Sequence, residues 1–320
     1  MALTPVPVTV FAGPGAEAVA ASVVGPNECI VAEEWQGPGS VQIRSDIGHR
    51  TPDCPCCAMR LDVIDGLLRT VRRARRPTRV LLVAGPDHDL ATIVYTILSD
   101  ADLARHVRLD AVVVAVDAVA IATRRAADVP LGSRVELDAL AIADALVVTR
   151  TADVTSEGLA NVRTALDAVN AVGAQVILPG ENPTTPPAVE RLRGTVLGLD
   201  AWHGAPAVDP HVTVLTHSSG GAPDTVVLRQ AAPLDPAAVD EWLDRLIESH
   251  AQRLVRMQGA LAIESSPVRV CCHGVRSFAM SHSEADDPVA SQRTESLLVM
   301  VGYDLDVDAL TAEFAATRMR

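Results

Sequence analysis

An α/β fold with a parallel sheet covered on both faces, followed by a smaller α+β domain, is what the pattern of this chain predicts. Three observations carry that expectation. Short, nearly uninterrupted apolar runs such as Ala111–Val116 recur between stretches of helical periodicity, the signature of strands buried on both faces of a parallel sheet. The pattern breaks around residues 198–223 into Gly, Pro, His and Ser, as a domain boundary does. Beyond it the order of elements changes.

In order along the chain, Val6 to Phe11 is a short buried strand, closed by the turn Gly13-Pro14-Gly15 and followed by a helix from Ala16. Met59, Leu61, Ile64, Leu67 and Leu68 fall at helical spacing. Val80 to Ala84 is the next strand, then a helix through Leu90, Ile93, Val94 and Ile97. Ala111–Val116 is a buried strand ending at Asp117, Leu146–Val148 is another, and a helix over Leu159 to Val172 leads to the strand Val176–Leu178. After the boundary come a strand at Thr225–Leu228 and a helix from Pro236 to His250. Strands near Arg269–His273 and Ser296–Val301 and a helix from Val307 complete the chain. The expected division is residues 1–200, a linker at 201–223, and a second domain at 224–320.

Composition narrows the function classes. The chain of 320 residues is 48% hydrophobic but only 2% aromatic, so its interior is built from Ala, Val and Leu. The N-terminus lacks a basic stretch followed by an apolar one, and no apolar run reaches the length of a membrane span. The expected compartment is the cytoplasm, where clustered cysteines signal metal or redox sites. A net charge of -13 argues against nucleic-acid binding over the whole surface. Arg69, Arg72, Arg73, Arg75, Arg76 and Arg79 are a local exception, either a solvated helix end or a contact for a partner. All 27 basic residues are arginine. No lysine is available to grip a phosphate as a point charge, form a Schiff base or act as a tuned base.

Three of the six cysteines lie in Cys54-Pro55-Cys56-Cys57, at the head of an amphipathic helix. Thiolates this close suit a borderline metal, Zn²⁺ above all. The helix N-terminus favours the thiolate form. A disulfide or a set of small buried residues are the other readings. Three thiolates leave one tetrahedral position, for which His49 and Asp53 are the nearby candidates. Cys271-Cys272-His273 is a second concentration of donors, with Cys271 and His273 on one strand face. Small core residues explain it as well.

The order of strand, turn, cysteine run, Asp-terminated strand and small α+β domain resembles the CobW family of metallochaperone P-loop GTPases. The segment Cys54-Pro55-Cys56-Cys57 with Arg60 and Asp62 resembles its Cys-x-Cys-Cys motif, and Val114-Ala115-Val116-Asp117-Ala118 its Val-Val-Asp-Ala strand. Pro233-Leu234-Asp235, Arg253–Gly259 and Val301–Leu305 are similar to its C-terminal signatures. The resemblance implies a P-loop-NTPase-like first domain, a CobW-type second domain and a bound Zn²⁺.

The nucleotide motifs depart from that family. A working P-loop needs Gly-x-x-x-x-Gly-Lys-Ser/Thr, whereas Val10–Glu17 reads Val-Phe-Ala-Gly-Pro-Gly-Ala-Glu, with Gly13 and Gly15 but Ala16 for lysine and Glu17 for the hydroxyl. The guanine-reading Asn-Lys-x-Asp is replaced by Thr149-Arg150-Thr151-Ala152. The expectation is a protein without GTP hydrolysis and without GTP/Mg²⁺ as cofactor, acting in zinc delivery or sensing. P-loop-deficient actinobacterial relatives of similar appearance are tied to ribosome remodelling under zinc starvation. That resemblance implies an alternative role, an adaptor that recruits a hibernation factor to the ribosome. A third alternative is an active GTPase with an unorthodox site. A protein partner is expected in either of the first two roles, with no membrane involved.

Overall fold

The computed structural model describes residues 4–32, 41–42, 55–85, 88–170, 175–177, 185–203, 221–264, 266–283 and 295–319. The chain divides into one compact unit of residues 1–167 and 174–200 and another of 168–173 and 201–320.

The first unit comprises β1 (Val6–Ala12), α1 (Ala16–Val23), β2 (Glu28–Ala32), β3 (Val41–Gln42), α2 (Pro55–Val71), β4 (Arg79–Val83), α3 (Leu90–Ser99) and α4 (Ala101–Ala104). There follow β5 (Val107–Asp117), α5 (Ala118–Ala126), α6 (Arg134–Ile142), β6 (Ala145–Thr149), α7 (Ser156–Val169), β7 (Gln175–Ile177) and α8 (Pro186–Val196). The strands form one parallel sheet in the order β3-β2-β4-β1-β5-β6-β7. The chain leaves β1 toward one edge and later returns to the other side at β5. Strand order thus reverses beside β1, where ligands of open α/β sheets bind at the carboxyl ends of the strands.

Both faces are buried, as the uninterrupted apolar runs require. Phe11, Leu81, Val83, Val113, Ala115 and Val147 pack with α1 and α8 through Val19, Val23, Leu192 and Val196. The alternate residues Val10, Val80, Leu82, Val112 and Leu146 are equally buried and point to the other face. Helices start where polar side chains accept from their free amides. Asp89 accepts from Ala91 N–H, Asp117 from Val119 and Ala120, and Ser133 forms a capping box with Glu136.

The second unit is α+β: β8 (Asp224–Gln230), α9 (Pro236–His250), β9 (Leu254–Leu261), β10 (Val270–Val275), β11 (Phe278–Ser283), β12 (Ser296–Gly302) and α10 (Val307–Ala316). Its antiparallel sheet runs β11-β10-β9-β12-β8. Trp242 of α9 and Phe314 of α10 meet with ring centroids 5.2 Å apart. They share a core with Met257, Cys272, Leu298 and Met300. Gly259 has a packing reason, since a Cβ there would lie 2.3 Å from the Leu297 carbonyl oxygen. The opposite face is buried but polar. Arg256, Gln258 and His273 are almost fully enclosed, with Arg256 Nη2 donating to Gln258 Oε1 at 2.7 Å. The indole of Trp202 lies 5.0 Å from the Arg256 guanidinium and 6.0 Å from the His273 ring.

Most predicted elements are present within a residue or two, and α9 spans the predicted Pro236–His250. The helix from Leu159 ends at Val169, earlier than expected. Leu178 lies outside the described residues. The sequence pattern did not announce β2, β3, β9 or β11, nor the helices α4, α5, α6 and α8. β2 has only five residues, and in β9 the buried Arg256 and Gln258 interrupt the apolar period.

Candidate metal and nucleotide site

Two loops and a helix start bear the residues singled out from the sequence. Pro55 opens α2, so Cys56 and Cys57 stand in its first turn, with proline in the first helical position, where its missing N–H is no loss. The side chains of Cys56 and Cys57, together with Cys54, His49 and Asp53, lie outside the described residues. Among the described residues no three His, Cys, Asp or Glu side chains converge as a metal site would require. One turn along α2, Met59 and Asp62 line a cleft of about 20 Å³ with Val63, Ala84, His88 and Ile93. His88 Nδ1 accepts the Gly85 N–H at 3.1 Å. Asp62 and His88 therefore bring an oxygen and a nitrogen donor to one cleft beside α2. Sequence reasoning missed His88, whose only sequence signal is its place just past the strand next to β1.

The turn after β1 is tight. Val10, Phe11 and Ala12 belong to the strand and are buried. Only Gly13, Pro14 and Gly15 separate them from α1. Gly13 has φ +87° and sits so close to β5 that a Cβ would meet the Ala115 carbonyl oxygen at 2.3 Å. The Gly13 carbonyl accepts the Ala16 N–H at 3.1 Å, Pro14 has no N–H, and Gly15 caps the helix in the left-handed region without a side-chain bond. Ala16 is buried and Glu17 is exposed in the first turn.

At the neighbouring strand ends, Asp117 pairs in register with Thr149. One carboxylate oxygen of Asp117 caps α5, and the other accepts from Arg150 Nη1 at 2.9 Å. Arg150, at φ +55°, also donates to Asp153 at 3.2 Å. Asp117 first, and Asp153 with it, raise the Arg150 pKa further above its ordinary value. The stretch Thr149–Ala152 thus presents a guanidinium tied to two carboxylates.

The arginine run divides. α2 ends at Val71, so only Arg69 is in its last turn, where it pairs with Asp65. Arg72, Arg73, Arg75 and Arg76 lie in the following loop. Arg79 is corrected as a partner contact. It opens β4, is 15% exposed, and is held by Asp110 and Glu28. Cys271, Cys272 and His273 are fully buried in β10. Burial, with Cys271 beside it, pushes the Cys272 thiol up to about 12, so it stays protonated.

Two family models match these units. Residues 48–177 match the CobW/HypB/UreG nucleotide-binding domain, and residues 224–318 match the cobalamin synthesis protein cobW C-terminal domain. The first of these matches covers about two fifths of the chain and begins after the β1–α1 turn. Zinc chaperone YjiA of Escherichia coli (strain K12) is 27% identical over 94 residues. That alignment spans 29% of this chain and 29% of the relative's length. The crystal structure of Zn(II)-bound YjiA GTPase from E. coli superposes with a TM-score of 0.71 at 21% identity, covering 99% of this chain and 100% of that one. A Zn(II)-bound variant of it, with one glutamate and two cysteines replaced by alanine, gives 0.72 at 18% identity with the same coverage. These superpositions establish the P-loop-GTPase-like fold. No helix among the described residues is long and apolar enough to cross a membrane.

Proposed function

We propose that this chain is a CobW-type zinc-handling protein that binds Zn²⁺ through Cys54, Cys56 and Cys57 and delivers or senses it without turning over GTP. The observation that carries this reading is the cysteine run at the first turn of α2, inside the stretch matched by the CobW/HypB/UreG model. The likeness to zinc-bound YjiA supports it. The donor set fits the ion. Three thiolates suit tetrahedral Zn²⁺ and leave a fourth position, for which His49, Asp53, Asp62 and His88 are the candidates. Bound there, the Zn²⁺ is cargo or signal. An open fourth position suits transfer better than a closed structural site does.

The nucleotide half of the reading rests on donors. Phosphate cradles are built of backbone N–H groups and a lysine. Here the Ala16 N–H is engaged by Gly13, Pro14 has none, and Ala16 and Glu17 stand in for the lysine and the magnesium-binding hydroxyl. A second reading is an adaptor to the ribosome or a hibernation factor. The exposed loop arginines 72, 73 and 75 favour it.

The test is metal binding by reduced protein. The parent takes up one Zn²⁺ with proton release, and Co²⁺ in its place gives the visible absorption of tetrahedral thiolate coordination. Cys56→Ser with Cys57→Ser abolishes both and leaves the fold intact. A double variant that binds as tightly as the parent sinks the assignment.

A further inference from the structure

At the edge of the sheet remote from the β1–α1 turn, a pocket of about 120 Å³ lies between the start of β2 and the loop after α2. That volume is several times the roughly 10–15 Å³ that one water requires. Asn27, Glu28, Thr70, Arg73, Arg75 and Arg76 line it. The partners of its arginines bear on what it can hold. Many exposed arginines elsewhere in this acidic chain bind carboxylates: Arg69 with Asp65, Arg105 with Asp102, Arg150 with Asp117 and Arg245 with Glu241. At the pocket, Arg75 Nη2 donates to the amide oxygen of Asn27 at 2.7 Å. Arg76 Nη2 donates to the carbonyls of Thr4 at 2.9 Å and His106 at 3.1 Å. Neutral oxygens fix these side chains without cancelling their charge. The one carboxylate in the wall, Glu28, is already held by Arg193 and Arg79.

From this we infer that the pocket binds a phosphate group, either of a small phosphorylated ligand or of a polynucleotide backbone. Each guanidinium presents five N–H donors in a planar fork, the geometry that matches phosphate oxygens two at a time. Holding the forks in place beforehand lowers the ordering cost of binding. The site is independent of the zinc reading, because it lies outside the cysteine run and needs no metal.

Calorimetry with pyrophosphate on the metal-free full chain tests it. The parent binds in the micromolar range, with affinity falling as salt rises. Arg73→Ala with Arg75→Ala weakens binding at least tenfold, and Arg75→Lys, which keeps charge but loses the fork, weakens it measurably. Arg125→Ala, at an exposed residue of α5 outside the pocket lining, leaves it unchanged. Unaltered thermal unfolding of the variants shows that the fold is kept. A single-stranded RNA oligomer that competes with pyrophosphate assigns the phosphate to a polynucleotide, and one that fails to compete assigns it to a small ligand. Absence of pyrophosphate binding by the parent overturns the site. So does a double variant that binds as the parent does.

Discussion

The two edges of the parallel sheet handle charge in opposite ways. At the carboxyl edge, Asp117 and Arg150 meet on caps and turns, with the Arg150 side chain 54% exposed. At the amino edge, charge goes inside. Asp110 is fully buried and accepts from Thr9 Oγ1 at 3.0 Å, Gly198 N–H at 2.8 Å, Asp200 N–H at 3.0 Å and the Arg79 guanidinium. Glu28 binds Arg193 in a two-pronged pair, and Arg193 also donates to the Val23 carbonyl. Buried charge is tolerated only when every lone pair finds a donor, and here the donors come from β1, β4, α8 and the segment after it. The edge where P-loop proteins bind nucleotide carries loosely held exposed charge. The other edge is a locked structural network, and the arginine pocket opens beside it.

The sharpest way to break this contrast is Asp110→Ala. It takes the Asp110 carboxylate from the Arg79 guanidinium, leaving that group Glu28 and Thr9, and leaves two backbone amides of residues 198–200 without their acceptor, a loss of about 3–5 kcal/mol by analogy with other broken buried pairs. Denaturant unfolding should show the midpoint falling by that amount. A variant within about 0.5 kcal/mol of the parent, as for ordinary surface substitutions, means the network is incidental.

Little of this network was legible beforehand. Near-continuous apolar runs announced β1, β4, β5 and β6, because both faces of a parallel sheet demand them. The helix start was placed at Pro236, and the Asp235 carboxylate before it, not foreseen as a cap, accepts from Ala238 N–H. Arg79 looked like the last member of a cationic run, since spacing alone cannot tell that it begins a strand opposite Glu28. Asp110 stood just before the apolar run Ala111–Val116 with no visible partner, because its partners are 31 to 101 residues away. The cysteine run was legible as a motif and as the start of α2, while its donor geometry lies outside the described side chains.

A smaller effect sharpens the same comparison through pH. Burial raises the Glu28 pKa, but the Arg193 hydrogen bond, the Gly25 N–H and the charges of Arg193 and Arg79 outweigh it, so the carboxyl sits below its ordinary value. A depressed folded-state pKa gives stability that is present above the unfolded value, about 4.3. That stability is lost as pH falls through the folded one. Glu28→Gln should therefore lower the unfolding temperature at neutral pH and flatten its decline in acid. A parallel offset at every pH would show that the pair contributes through packing alone.

The smallest expected effect lies at the carboxyl edge, where side chains are easily changed and backbone is not. Ala16→Lys with Glu17→Thr restores the two residue types of a P-loop helix start, yet should create no measurable GTP affinity by calorimetry. The reason is the path of the chain. The residues that would supply the cradle amides, Val10 to Ala12, are paired in β1 with β4 and β5. Gly13 is pressed against the Ala115 carbonyl, Pro14 has no N–H, and the Ala16 N–H is turned back to Gly13. A lysine added to that turn supplies charge without the ring of donors that fixes a triphosphate. Micromolar GTP binding by the double variant would show that the turn can open, and that only its side chains separate this chain from a working GTPase.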